Sequence, residues 1–338
     1  MPRLSVRGFF AALGACLSLS ACATPAAQPA APPPPPPVPA DHVPPPVSEP
    51  DEPKEHSTPT LLSNRGFATP ESVYFDKKRD VYFVSNLNGG SHEKNGKGFI
   101  SRITPGDADE YKVDTKFIDG EKEGFTLHSP KGLTIVEDTL YVADIDTIRL
   151  FDAQSGEKRG EITIKGATLL NGLATGEDNV VYVSDTGVTP QWKTNGSDAL
   201  YIIKQGAVTK LIAHPQDLKD PNGLLAGKGG VWVTTGSGEI YWISNEGKLS
   251  HRQQMSKGGN DGFTLSRDGR ALVSSWADKT VYVGTFQEDG KLREDFRAEI
   301  TQVESPADIG FDCTRNQVLI PLFNKNEVAI YPMTLSIP

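Results

Sequence analysis

Two carboxylates and two carboxamides stand at the same place in four repeated segments of this sequence. Glu71 begins ESVYFD, Asn171 lies in LLNGLA, Asn222 in DPNGLL and Asp261 in NDGF. Carboxylate and amide oxygens are the donors that hard divalent cations such as Ca²⁺ and Mg²⁺ prefer. We therefore predict one divalent cation held by these four side chains, with Ca²⁺ favoured. Mg²⁺, Zn²⁺ and Mn²⁺ remain open, although the set lacks the His or Cys typical of zinc sites.

Lys131 and Ala307 hold the same place in two further segments, SPKGLT and SPADIG. The Lys131 ammonium has two interpretations. It could neutralise Glu71 and remove the need for a metal, or it could point past the cation and bind a substrate carboxylate or phosphate. His92 and Trp192 lie on long loops at the same end of the predicted strands, where they could wall a substrate pocket or simply be solvated.

The segments that carry these residues are built alike. Each starts with one of the six residues named above, which we call the anchor, and continues with a short apolar strand, a tight turn and a second strand. Successive anchors are 60, 40, 51, 39 and 46 residues apart. This spacing is typical of four-stranded propeller blades, and the short β-branched and aromatic runs are typical of antiparallel strands. The predicted fold class is all-β, a six-bladed β-propeller over residues 61–338. Because the inner strands of a propeller start at one axial level, the anchors should form a ring around the central channel.

The last blade is one strand short in the sequence. After Ala307 only three strand-like runs remain, ADIGFD, QVLIPLF and EVAIYPM. An unpaired edge would leave backbone groups unsatisfied and prone to association. We therefore expect the segment from Thr60 to Phe67 to supply the fourth strand and close the ring.

The order Glu, Asn, Asn, Asp at successive inner-strand starts resembles the SMP-30/gluconolactonase/luciferin-regenerating family of six-bladed propellers. The resemblance covers about residues 67–331. It implies that Glu71, Asn171, Asn222 and Asp261 hold one divalent cation and that Asp261 is also a general base. The adjacent Asn and Asp in NDGF are similar to a pair in the paraoxonase-like arylesterases.

The sequence departs from the family pattern at two points. It has Glu-Ser-Val-Tyr where the family usually has Glu-Gly-Pro and a Trp, and it has no clear counterpart of the arginine that contacts sugar lactones. Which substrate the chain takes is therefore open.

Two functions from different classes follow. The ring and the resemblance predict metal-dependent hydrolysis of a small-molecule lactone or ester, in which the cation polarises the carbonyl and Asp261 activates water. The alternative is a non-catalytic propeller that binds a protein or glycan at the cell envelope, because propellers host both functions.

The first 60 residues are interpreted as targeting and tethering segments. Arg3 and Arg7 precede an apolar run that ends at Ala21, which is typical of an export signal over residues 1–21. The end of this run, LSAC, resembles the bacterial lipoprotein signal, which implies that Cys22 carries lipid and is the only contact with a membrane. An ordinary signal peptide with an incidental cysteine is the alternative.

Residues 22–60 would then be a proline-rich tether, too poor in large apolar residues to form a core. The predicted location is the bacterial cell envelope. Ala23 after the cysteine favours the outer membrane by the enteric-bacterial sorting rule.

The net charge argues against one class of partner, and the cysteine content excludes one kind of cross-link. The formal net charge is −9 and no basic stripe with interleaved aromatics occurs, so nucleic acid is not a predicted partner. Cys313 is the one cysteine after Cys22, so the propeller can form no intrachain disulfide. We expect a monomer.

Overall fold

Short antiparallel strands joined by tight turns make up most of residues 58–107, 110–212 and 217–333, the ranges that this computed structural model describes. The predicted signal peptide, Cys22 and nearly all of the predicted tether lie outside these ranges. No helix within them is long and apolar enough to cross a membrane. Single 3-10 turns occur at Glu177–Asn179 and Phe323–Lys325.

The strands form six four-stranded sheets, so the predicted all-β, six-bladed β-propeller is confirmed. The bounds of the strands in chain order are β1 Thr60–Leu62, β2 Pro70–Asp76, β3 Val81–Asn86, β4 Phe99–Pro105, β5 Tyr111–Asp119, β6 Pro130–Val136, β7 Thr139–Asp144, β8 Thr147–Asp152, β9 Lys158–Thr163, β10 Leu170–Thr175, β11 Val181–Asp185, β12 Ala199–Lys204, β13 Ala207–Lys210, β14 Pro221–Gly227, β15 Gly230–Thr235, β16 Glu239–Ser244, β17 Leu249–Gln254, β18 Asn260–Leu265, β19 Ala271–Ser275, β20 Thr280–Gly284, β21 Arg297–Ile300, β22 Gly310–Asp312, β23 Gln317–Leu322 and β24 Glu327–Pro332.

Blades one to five are each continuous in sequence, starting with β2, β6, β10, β14 and β18 as inner strands. Blade six has the order β1-β24-β23-β22, so its outer strand comes from the N-terminal side of blade one. Thr60 pairs with Ile330 and Leu62 with Val328. The predicted closure by an N-terminal strand is therefore confirmed, and it uses the first three residues of the expected segment.

The core lies between neighbouring blades. At the closure, Tyr82 of blade one packs with Leu319 and Val328 of blade six, and buried Leu62 and Phe67 join the same cluster. Burying a large apolar side chain contributes about 1.5–3 kcal/mol, so this seam holds the ring shut. A closed ring fixes the starts of all inner strands around one axis, which is what positions the candidate site.

Candidate functional site

A β-bulge lies at the anchor residue in each of the first five inner strands. The pairing register of the inner strand shifts between Pro70 and Val73 in blade one, and at the equivalent place in blades two to five. A bulge takes residues out of the ladder and re-aims their side chains. The anchors can therefore point into the channel mouth instead of following the pleat.

Hydroxyl groups on the second strands of blades three and four join the anchor of one blade to the anchor of the next. Ser184 Oγ accepts a hydrogen bond from the backbone N–H of Gly172 (2.8 Å) and donates to the backbone carbonyl of Asn222 (2.6 Å). Thr234 Oγ1 donates in the same way to the carbonyl of Asp261 (2.8 Å). Such bonds satisfy backbone groups that the bulge frees and set the spacing of successive anchors.

The glycine after an anchor is a packing requirement. A Cβ on Gly172 would lie 2.4 Å from the carbonyl oxygen of Asn222, and one on Gly223 would lie 1.9 Å from that of Asp261. Only glycine allows the inner strands to approach this closely. The repeated Asn-Gly pairs of the sequence therefore mark contacts between blades.

The anchors surround one cavity of about 490 Å³ at the channel mouth. Six of the predicted site residues line it: Glu71, Lys131, Asn171, Asn222, Asp261 and Trp192. The remaining lining residues are Leu87, Ser91, Thr186, Val188, Asp220, Gly236, Gly259, Asn260, Trp276 and Phe323.

The two anchor carboxylates are buried and each has an oxygen without a hydrogen-bond partner. Asp261 Oδ2 accepts a hydrogen bond from Trp276 Nε1 (2.8 Å), whereas Asp261 Oδ1 and Glu71 Oε2 have none. Burial, and then the charge of Asp308, raises the pKa of Asp261 to about 8, against the hydrogen bonds from Trp276 and Asn222. Burial, Asp261 and Asp308 likewise raise the pKa of Glu71 well above its usual range, while Lys131 opposes the shift.

These features fit a divalent cation. Unpartnered buried carboxylate oxygens are costly unless a cation or a donor satisfies them. No group of three or more His, Cys, Asp or Glu side chains gathers as a metal cluster within the described ranges. The fit therefore depends on two carboxylates supplemented by the amides of the ring.

The amide of Asn171 is oriented by its surroundings. Its Nδ2 donates to Thr186 Oγ1 (3.0 Å), which in turn donates to the carbonyl of Pro221 (3.0 Å). With the nitrogen engaged, Oδ1 is the atom of Asn171 that a cation could use.

Lys131 is buried and its ammonium is fully engaged by the protein. Nζ donates to the carbonyls of Ser91 and Ser129 (both 2.9 Å) and lies 3.3 Å from Ser129 Oγ. Among the described residues no ion pair joins it to Glu71, so the direct neutralisation considered from the sequence is not formed. Burial lowers the pKa of Lys131 to about 8, although Glu71 and Asp144 act in the opposite direction.

His92 and Trp192 have different positions. Trp192 lines the cavity, whereas His92 does not. His92 Nε2 lies 3.0 Å from the carbonyl oxygen of Val188 and Nδ1 lies 3.0 Å from Ser91 Oγ, while its ring meets the Trp192 ring edge-on at 6.4 Å. His92 thus joins the loop after β3 to the loop after β11.

Three acidic residues near the ring were missed by sequence reasoning. Asp308 follows Ala307, which was aligned to the anchor position. Its Oδ2 accepts a hydrogen bond from Ser72 Oγ (2.7 Å), and burial raises its pKa to about 6. Asp220 lines the cavity, and its Oδ1 and that of Asp198 are buried without a partner. The signal that could have found Asp308 and Asp220 is an acid within two positions of an anchor.

Trp276 was also missed, although it ends the blade-five segment ALVSSW. The indole fixes Asp261 and meets Phe323 edge-on at 5.3 Å. The contact joins blades five and six, so it depends on ring closure and has no local sequence signal.

Comparisons with known proteins support the fold. No protein-family model matches the sequence, and no curated protein matches it. Among solved structures, a gluconolactonase from Xanthomonas campestris is similar with 18% identity and a TM-score of 0.56, over 82% of this chain and 90% of that chain. A luciferin-regenerating enzyme is similar with 10% identity and a TM-score of 0.52, over 82% of this chain and 96% of that one.

The same fold also serves other reactions. A virginiamycin B lyase from Staphylococcus aureus, in a catalytically inactive form with quinupristin, is similar with 14% identity and a TM-score of 0.53, over 82% of this chain and 99% of that chain. The chain therefore has the propeller fold that gluconolactonases and luciferin-regenerating enzyme share, and the reaction must be argued from the site.

Proposed function

We propose that this chain is a metal-dependent hydrolase of a lactone or ester, with its reaction centre at the ring of Glu71, Asn171, Asn222 and Asp261. The observation that carries the proposal is the pair of buried oxygens, Glu71 Oε2 and Asp261 Oδ1, that no protein group satisfies. The resemblance of the anchor order and the gluconolactonase among the structural neighbours support the same assignment.

A divalent cation held by these four side chains would supply positive charge that polarises a carbonyl and stabilises the developing oxyanion. Ca²⁺ suits a set made only of oxygen donors. The protein contributes the arrangement of the donors. The bulges and glycines that fix the inner strands hold this arrangement before substrate binds.

Asp261 is the residue that we assign to proton transfer. Trp276 holds Oδ2, so the carboxylate cannot rotate freely, and Oδ1 is left without a hydrogen-bond partner. A water on the cavity side of Asp261 can give its proton to this carboxylate as it attacks the carbonyl carbon. The proton then passes to the leaving alkoxide, which for a lactone remains attached to the product.

The test combines cation analysis with a panel of lactones and aryl esters. Asp261→Asn keeps the size and an oxygen donor but removes a negative charge and the base. We expect weaker cation binding and a loss of about 10²–10⁴ in turnover, the usual scale for general-base catalysis. Asn222→Ala should also bind the cation more weakly but recover most activity at high cation concentration, because no proton-transfer group is lost.

Asp289→Asn is the matched control, since Asp289 is an exposed acid paired with Lys291 and does not line the cavity. It should change neither cation content nor turnover. Wild-type protein that binds no cation in millimolar Ca²⁺, Mg²⁺, Zn²⁺ or Mn²⁺ and hydrolyses nothing in the panel would contradict the proposal. That result would favour the non-catalytic propeller that binds a protein or glycan.

A further inference from the structure

Outside the inner strands, most residues that form the wall of the cavity are apolar or glycine. Leu87 and Val188 are buried in it, and Trp192, Trp276 and Phe323 complete it. The polar groups lie mainly at the floor, on the inner strands. A ligand that reaches the floor with a carbonyl must therefore place the rest of its surface against apolar side chains.

The charges of the cavity do not favour an anion. Glu71, Asp220 and Asp261 line it, and Lys131 is the one basic residue among the described lining residues. A divalent cation and Lys131 would together balance the three acids. The Lys131 ammonium already donates its protons to protein oxygens. We therefore infer that Lys131 balances the charge of the acids, while the sequence-based suggestion that it binds a substrate carboxylate or phosphate stays a prediction.

Trp192 is presented to the cavity mouth at some conformational cost. Its φ is 57°, in the left-handed region that bulky side chains rarely adopt, and the residue is 63% exposed. The turn is held by a hydrogen bond from Trp192 N to the carbonyl of Thr189 (2.8 Å), and the His92–Val188 contact braces the same loop. A strained, exposed aromatic that its surroundings hold in place is a feature of ligand clamps.

We propose that the substrate is an uncharged ester or lactone with an apolar or aromatic substituent, which lies against Trp192, Val188 and Phe323 while its carbonyl reaches the anchor ring. This inference rests on the proposed hydrolase function and adds the substrate class. Among the described side chains that line the cavity outside the inner strands, Ser91 and Thr186 already have hydrogen-bond partners and Asp220 keeps one oxygen without a partner. Most hydroxyls of a sugar lactone, and the charge of an anionic ester, would therefore be buried without partners, which is unfavourable.

The first experiment is a series of lactones that differ only in the length of one alkyl substituent, with gluconolactone as the polyhydroxylated member. We expect kcat/KM to rise about fourfold per added methylene until the cavity is filled, with gluconolactone the poorest substrate. Trp192→Ala should flatten this dependence by raising KM most for the long members. Trp192→Phe should restore most of the dependence.

Leu265→Ala is the control, because Leu265 is an exposed apolar residue that does not line the cavity. It should leave the chain-length dependence as in the wild type. Flat kcat/KM across the series, or an equal loss for all members in Trp192→Ala, would overturn the inference while leaving lactone hydrolysis itself intact.

A binding measurement separates this inference from the proposed function. Alkyl-substituted lactams resist hydrolysis and can be titrated by calorimetry or tryptophan fluorescence. Lactam affinity that grows with chain length in the wild type and not in Trp192→Ala supports the apolar ligand class, even if no lactone is hydrolysed. Affinity independent of chain length would refute it, whatever the activity.

Discussion

Replacing Asp261 by Asn should stabilise the metal-free protein, although it damages the proposed site. Asp261 is 6% exposed, and burial together with the Asp308 charge raises its pKa from 3.8 to about 8. An acid whose pKa is raised on folding contributes most to the free energy of unfolding at pH values below its unfolded pKa. Its contribution to stability is lost as pH rises toward and through the folded pKa. Metal-free wild-type protein should therefore lose stability between about pH 4 and pH 8.

The size of this stabilisation follows from the pKa shift of Asp261. At about 1.4 kcal/mol per pKa unit, ionised Asp261 costs the folded protein several kcal/mol at pH 8. Asn removes the charge and keeps an oxygen that Trp276 can bond. For a domain of this size 1 kcal/mol corresponds to about 2–4 °C in Tm, so we expect Asp261→Asn to melt at least 5 °C higher in EDTA at pH 8. Near pH 4 the two proteins should converge.

A bound cation should narrow this difference in stability. Wild-type protein at 100 times its Kd gains about 2.7 kcal/mol from binding, whereas Asp261→Asn has lost one of its two carboxylate donors and should gain less. The assay is thermal unfolding by circular dichroism at pH 4, 6 and 8, with EDTA or millimolar Ca²⁺, and with Asp289→Asn as the exposed control. A variant that melts lower than the wild type in EDTA at pH 8, or equal stabilisation of both by the cation, would refute this reasoning.

Three further predictions concern the closure, the loop and the tether. Deleting residues 23–55 should leave Tm nearly unchanged, whereas deleting 23–68 should lower it sharply by removing β1 and the buried side chains of Leu62 and Phe67; equal Tm values would show that this strand does not close the ring. Lys131→Met should bind the cation more tightly, because a positive charge near Glu71 is gone. Lys131→Met should also speed amide hydrogen exchange around Ser91, whereas Lys94→Met in the same loop should not. Unchanged cation affinity would contradict the effect of the Lys131 charge, and unchanged exchange would contradict its role in holding the loop. Cys22→Ser should give a protein that is either soluble or unprocessed, and correctly cleaved Cys22→Ser protein that still fractionates with membranes would argue against lipid as the anchor.

The architecture could be predicted from the sequence because it depends on local patterns. Alternation of strand and turn residues determines where each strand lies, and the repeat of that pattern determines that the strands form equivalent blades. Glu71, Asn171, Asn222 and Asp261 reach one cavity because equivalent positions in a closed ring face the same axis. The missing strand of blade six could be placed for a similar reason, since a sheet edge in a closed ring needs a partner.

The chemistry of the wall was decided by tertiary structure alone. Lys131 has carbonyl partners in place of Glu71 because the loop after β3 folds back over it. Trp192 lines the cavity and His92 does not, and the contact of His92 with Val188 joins two loops that are 96 residues apart. Contacts of this kind join side chains from different blades, and they exist only after ring closure brings those loops together. A repeat in the sequence specifies where the inner strands start, but the irregular loops that cover them have no period from which their packing could be predicted.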